Sequence, residues 1–155
     1  MSSELIREAI RHAEVKQASQ LQIALAADSR AMTLCVSTAA IASVLVGIIA
    51  NMSDKTAAFP VVLTAALFFV ASCYAAWSAR PIGFSAPGQD FSDFKEDILS
   101  KRDVDAVLIE LGGQLDEMAA HNEGCTKRNA KWFKRSLIVA ASAPWIGLAA
   151  GFFFK

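Results

Sequence analysis

The sequence predicts an all-α integral membrane protein with about three transmembrane helices, two of them continuous with long cytoplasmic helices forming a bundle. Three observations carry this. Two uncharged runs, AMTLCVSTAAIASVLVGIIANMS after Arg30 and TAAFPVVLTAALFFVASCYAAWSA before Arg80, are separated by one short polar turn. A third, SLIVAASAPWIGLAAGFFF, follows a basic cluster. Each run is close to or above the roughly 20 apolar residues that cross about 30 Å of hydrocarbon, and the first link is too short to be anything but a turn at one membrane face. The chain has 155 residues, 54% of them hydrophobic, and is read as a single helical membrane module over 1–155.

The distribution of positive charge orients it. Net charge is zero, so no basic excess points to nucleic acid as a partner. Arg7, Arg11, Lys16 and Arg30 precede the first run, and nine lysines and arginines lie between Arg80 and Arg135. Only Lys55 lies near the hairpin turn, and only Lys155 follows the third run. By the positive-inside rule the N-terminus and residues 80–135 face the cytoplasm, and the turn and C-terminus face outside. MSSELIREAIRHAEVKQ is charged and amphipathic, unlike a cleavable signal. Cys35, Cys73 and Cys125 are placed for no disulfide and are read as reduced.

Residues 2–30 lack Gly and Pro, with Ile6, Ile10, Ala13, Leu21 and Ala24 as a modest apolar stripe, and Ser2 and Ser3 are N-cap candidates. This cytoplasmic helix runs without a break into span one, residues 31–53. There Ala39, Ser43 and Gly47 recur every four residues, a spacing that lets another helix approach. Span two, 57–79, repeats the device with Ala71, Ala75 and Ala79, tolerates Pro60 in its first turn, and ends in an aromatic belt of Tyr74 and Trp77.

Residues 80–135 hold a loop and a long helix. Arg80 and Pro81 end span two, Pro87 and Gly88 supply turn chemistry, and Phe84, Phe91 and Phe94 are candidates for a membrane surface or for packing on neighbouring helices. A short helix is expected over Ser92–Leu99. From Asp103 onward Val104, Leu108, Leu111, Leu115, Met118, Asn122, Cys125, Asn129 and Trp132 alternate steps of four and three, a coiled-coil seam in which Asn122 and Asn129 are buried amides that set register. Gly112, Gly113 and Gly124 predict a bend or a close contact. Span three, 136–154, contains Pro144 as a kink and the small-residue series Ala143, Gly147 and Gly151. Two seam-bearing helices exceed what one chain buries, so a homo-oligomer is expected.

The chemistry is sparse. Glu117, His121 and Cys125 share one helical face at ligand-like spacing, but no second cluster completes a metal site. The spans hold no charge for a proton relay, and phosphate loops and nucleophile elbows are absent. Neither catalysis nor a cofactor is expected. The residues where helices enter lipid, Asp28, Arg30, Arg80, Lys127, Arg128, Lys131, Lys134 and Arg135, are the coupling candidates. Their default partner is anionic lipid, at about 1 kcal/mol per basic residue near the surface, with a phosphate or nucleotide ligand as the alternative.

Three stretches resemble a known family. ALAADSRAMTLCVSTAAI with Ala27, Asp28, Arg30 and Ala31, AAWSARP with Trp77, Arg80 and Pro81, and ELGGQLDEMAAHNEGCTKRNAKWFKRSLIVA are similar to the transmembrane effectors of Pycsar anti-phage systems and to related SLATT-type membrane modules. The resemblance implies a bacterial inner-membrane protein that a nucleotide second messenger, made during infection, triggers to perturb the membrane or form a pore. It also implies that Asp28, Arg30 and Asn122 are structural markers. No stretch resembles a cyclic-nucleotide-binding domain, so the helical cytoplasmic part or a sensor protein is expected to read the signal. The contrasting expectation is a non-toxic membrane anchor or scaffold whose cytoplasmic helices hold a partner protein.

Overall fold

The computed structural model describes residues 3–53, 55–80, 83–86, 88 and 94–153, and among these it is helical with no strand. Four helices follow in order: α1, Ser3–Ala50; α2, Lys55–Ser78; α3, Lys95–Leu99; and α4, Val104–Phe153. Three of them are long and apolar enough to cross a membrane: α1, α2 and α4. The cap candidate Ser2, the loop residues Pro81, Pro87, Phe91 and Ser92, and Phe154 lie outside the described residues.

α1 is 48 residues long and α4 is 50, each passing without interruption from a charged half into an uncharged one. Neither charged half contains a proline, and α4 runs on through Pro144 in its apolar half. α4 continues through Gly112, Gly113 and Gly124, and no neighbour comes within 4 Å of the position of an added Cβ at any of them. The close contact expected there is therefore not made. Pro60 also differs from expectation. Because α2 begins at Lys55, the proline lies inside the helix rather than in its first turn. The Thr64 hydroxyl donates to its carbonyl at 2.8 Å, a back-bond within α2.

The chain forms two compact units. The first comprises residues 1–25 and 82–126. Here the first halves of α1 and α4 run parallel, since Gln17 meets Leu115 and Gln20 meets Ala119. Ile6, Gln17, Leu115, Ala119, Asn122 and Cys125 are its buried residues. α3 is closed by a C-terminal motif in which Lys101 N–H bonds to Ile98 O and Arg102 N–H to Asp97 O. Lys101 adopts φ 52°, the left-handed position that glycine usually fills at a helix end. Arg102 then pairs with Asp97 at 2.7 Å and Glu110 at 3.0 Å, tying α3 to α4.

The second unit comprises residues 26–81 and 127–155. α2 runs antiparallel to both neighbours, with Ser72 bonded to Cys35 O at 3.1 Å, Ser136 to Ala71 O at 2.7 Å and Ser78 to Asn129 O at 2.9 Å. Its interior is built from small side chains: Ala31, Thr38, Ala42, Ala71, Ala75 and Ala143 are buried. Large apolar side chains such as Val36, Val44, Phe69, Ile138, Leu148 and Phe152 point outward. This inverts the order of a water-soluble domain and matches helix packing in lipid. Lipid removes the hydrophobic drive between helices, so close backbone approach and interhelical hydrogen bonds take over.

Candidate functional site: a polar seam and a basic aromatic collar

The seam on α4 is real as a line of burial, but this chain fills it itself. Leu115, Asn122, Cys125 and Asn129 are buried, while Leu108, Leu111 and Met118 are half-buried. The partner strip on α1 is Ile6, Ile10, Ala13, Gln17, Gln20 and Ala24, again in steps of four and three. The expectation that these seam residues face another copy is corrected to this extent: parallel α1 and α4 of one chain supply each other's partner in the first unit.

Gln17 and Gln20 are the residues that sequence reasoning missed. Gln17 is fully buried and donates through Nε2 to Leu115 O at 3.0 Å, and Gln20 donates to Ala119 O at 3.3 Å. The Oε1 atoms of both are buried without a hydrogen-bond partner. Their signal was positional. A reading that scores only apolar residues selects Leu21, whereas the four-and-three count places Gln17 and Gln20 on the strip.

Asn122 is paired through both ends of its amide. Its Oδ1 accepts the Ser85 N–H and its Nδ2 donates to Ser85 O, both at 2.9 Å, so the amide mimics a backbone partner and pins loop 83–86 to α4. One residue earlier, His121 Nε2 lies 3.0 Å from Gly83 O and 3.6 Å from Cys125 Sγ. A carbonyl can only accept, so Nε2 carries the proton in this contact. Among the described residues no group of three His, Cys, Asp or Glu side chains gathers into a metal set.

In the second unit, Lys127, Arg128, Lys131, Lys134 and Arg135 are exposed on α4. Within this collar the Trp132 ring stacks on Tyr74 with centroids 5.7 Å apart and meets Trp77 edge to face at 6.4 Å. Arg80 lies 4.5 Å over Trp77 and Arg135 lies 4.6 Å over Trp132. On α1, Arg30 is exposed and Asp28 is half-buried on the inward strip, where burial raises its carboxyl above the ordinary range.

The small-residue positions divide into two kinds. Gly147 is buried so closely against Thr64 and the Pro60 carbonyl that no side chain fits, and a Cβ on Gly151 would rest 3.7 Å from the Pro60 ring. Ala143 is fully buried. The small-residue series on α4 is therefore engaged by α2 of the same chain. In contrast Ser43 and Gly47 are exposed, Ala39 is half-buried, and nothing lies within 4 Å of an added Cβ at Gly47.

No protein-family model, curated protein or solved structure matches this chain. What fold and site define is a class: an all-helical protein in which three helices are long and apolar enough to span a membrane.

Proposed function

We propose that this protein is a membrane effector of anti-phage defence, inserted in the bacterial inner membrane with its N-terminus in the cytoplasm and its C-terminus outside. A signal received by the cytoplasmic helices, directly from a nucleotide second messenger or through a sensor protein, alters helix packing and opens or disorders the membrane. The observation that carries this reading is the continuity of α1 and α4. At 1.5 Å per residue each is about 70 Å long, more than twice the hydrocarbon thickness, so each is long enough for an apolar span and a charged extension in one helix.

Further support comes from the polar character of the strips. Half-satisfied amides such as Gln17 and Gln20 hold a register at little gain in stability, which suits an interface that must change. The exposed face at Ser43 and Gly47 offers small residues to a second copy, as a homo-oligomer requires. The resemblance of the three stretches around Asp28, Arg80 and Asn122 to Pycsar-type effectors supplies the biological setting.

Overproduction of the full chain in a phage-challenged bacterial host, where the trigger is made, is expected to collapse the membrane potential reported by a voltage-sensitive dye. An unrelated three-span protein at equal abundance is expected to leave it intact. Unchanged potential at equal abundance, with a cytoplasmic protein co-purifying, would instead identify a membrane anchor.

A further inference from the structure

We propose that Arg80 and Arg135, held on the rings of Trp77 and Trp132, form a binding site for a phosphate-ester anion, supplied by an acidic phospholipid headgroup or by a soluble nucleotide. The site goes beyond the effector reading and does not require membrane perturbation.

Two guanidinium groups are fixed by the same device. Each arginine places its guanidinium over the ring of the tryptophan three residues earlier, 4.5 Å from the centroid for Arg80, just past the end of α2, and 4.6 Å for Arg135 within α4. The two tryptophans touch each other edge to face across α2 and α4, so both arginines belong to one cluster. Stacking orients the guanidinium plane and leaves N–H groups along its rim for an acceptor, the arrangement that recognises phosphate in a fork. The entropy of ordering a long side chain is already spent.

The cluster is also uncompensated. The second unit contains two carboxylates, Asp28 and Asp54, against nine lysines and arginines. Among the described residues no carboxylate lies within ion-pair distance of Arg80 or Arg135, and Arg80 Nε is closed from solvent without an acceptor. Asp28 is the nearest candidate by register: it precedes Cys35 by seven residues, and Arg80 follows Ser72, the partner of Cys35, by eight. It makes no ion pair with Arg80. Lys131 and Lys134 lie on the adjoining stripe of α4, exposed and on no ring, and so add attraction without geometry.

The test uses the full chain with the exposed Trp145 replaced by Phe, so that fluorescence reports Trp77 and Trp132. One arm titrates adenosine monophosphate against the protein in phosphatidylcholine nanodiscs. The other measures retention of phosphatidylglycerol by native mass spectrometry. R80Q/R135Q is expected to lose about tenfold in affinity for whichever probe binds, and R80K/R135K most of that, since an ammonium cannot fork. K16Q/K95Q, at two exposed lysines of the first unit, removes equal charge and is expected to change binding less than about twofold. Binding in the lipid arm identifies a headgroup, and binding in the nucleotide arm a soluble ester. Equal losses in the arginine and lysine variants, full binding by R80K/R135K, or no saturable binding of either probe would overturn the proposal. Thermal unfolding midpoints for every variant separate loss of binding from loss of fold.

Discussion

Gly147→Leu is expected to abolish the packing of α2 on α4 and to produce the largest loss of stability of any single substitution in the apolar half. The Cβ position at Gly147 is already taken by the Thr64 side chain, with the Pro60 carbonyl only 3.4 Å away. Thr64 cannot rotate freely, because its hydroxyl is bonded to Pro60 O. The helices must therefore separate, which breaks the Ser136 to Ala71 and Ser78 to Asn129 hydrogen bonds on the same interface. Overpacking of this kind costs about 1–3 kcal/mol before those bonds are counted. Thermal unfolding followed by size-exclusion chromatography in detergent measures it, and Gly47→Leu is the matched control. With nothing within 4 Å, Gly47 accepts leucine without a clash, so the monomer's unfolding midpoint is expected to stay put while any contact between copies through that face is lost. Equal unfolding midpoints for both variants would show that the contact at Gly147 does not hold the helices.

Asn122→Ala is expected to release loop 83–86 from α4. The substitution removes two 2.9 Å hydrogen bonds and leaves both polar groups of the Ser85 backbone without that partner. Leaving a buried group unpaired costs about 1–3 kcal/mol, so two give about 2–6 kcal/mol, with the lower end expected because Ser85 is half-buried. Amide hydrogen exchange at Ser85 reads the effect locally, with protection falling at least tenfold. Asn129→Ala provides contrast. The Asn129 contact with Ser78 runs through its backbone carbonyl, and its side-chain Oδ1 is unpaired, so its loss should cost much less.

These two asparagines show what was legible in the sequence. Their seven-residue spacing on an apolar repeat marked both as buried, and both are. Their different roles were not legible, because the partner of Asn122 is a loop with no periodicity of its own. The helices themselves could be read from long uncharged runs and unbroken charged ones. The pairing could not. An apolar repeat specifies a strip to be covered without specifying the cover, so a seam filled by α1 of the same chain reads identically to one filled by another copy. Gln17 and Gln20 escaped for the same reason that makes them informative: polar residues on a buried strip vanish from a hydrophobicity pattern. Gly147 and Gly47 look alike in sequence, yet only Gly147 has a helix against it, because α2 returns along one side of α4 and leaves the Gly47 face of α1 open.

The account rests on α1 and α4 each carrying a cytoplasmic half and a membrane-crossing half, and single-cysteine labelling tests this most directly. In a variant without Cys35, Cys73 and Cys125, one cysteine is placed at Arg7, Ser53 or Glu117, all exposed in the structure. Intact spheroplasts are then treated with a membrane-impermeant maleimide. The account predicts labelling at Ser53→Cys before lysis, and at Arg7→Cys and Glu117→Cys only after it. Labelling of Glu117→Cys in intact spheroplasts, or recovery of all three variants in the soluble fraction, would contradict it.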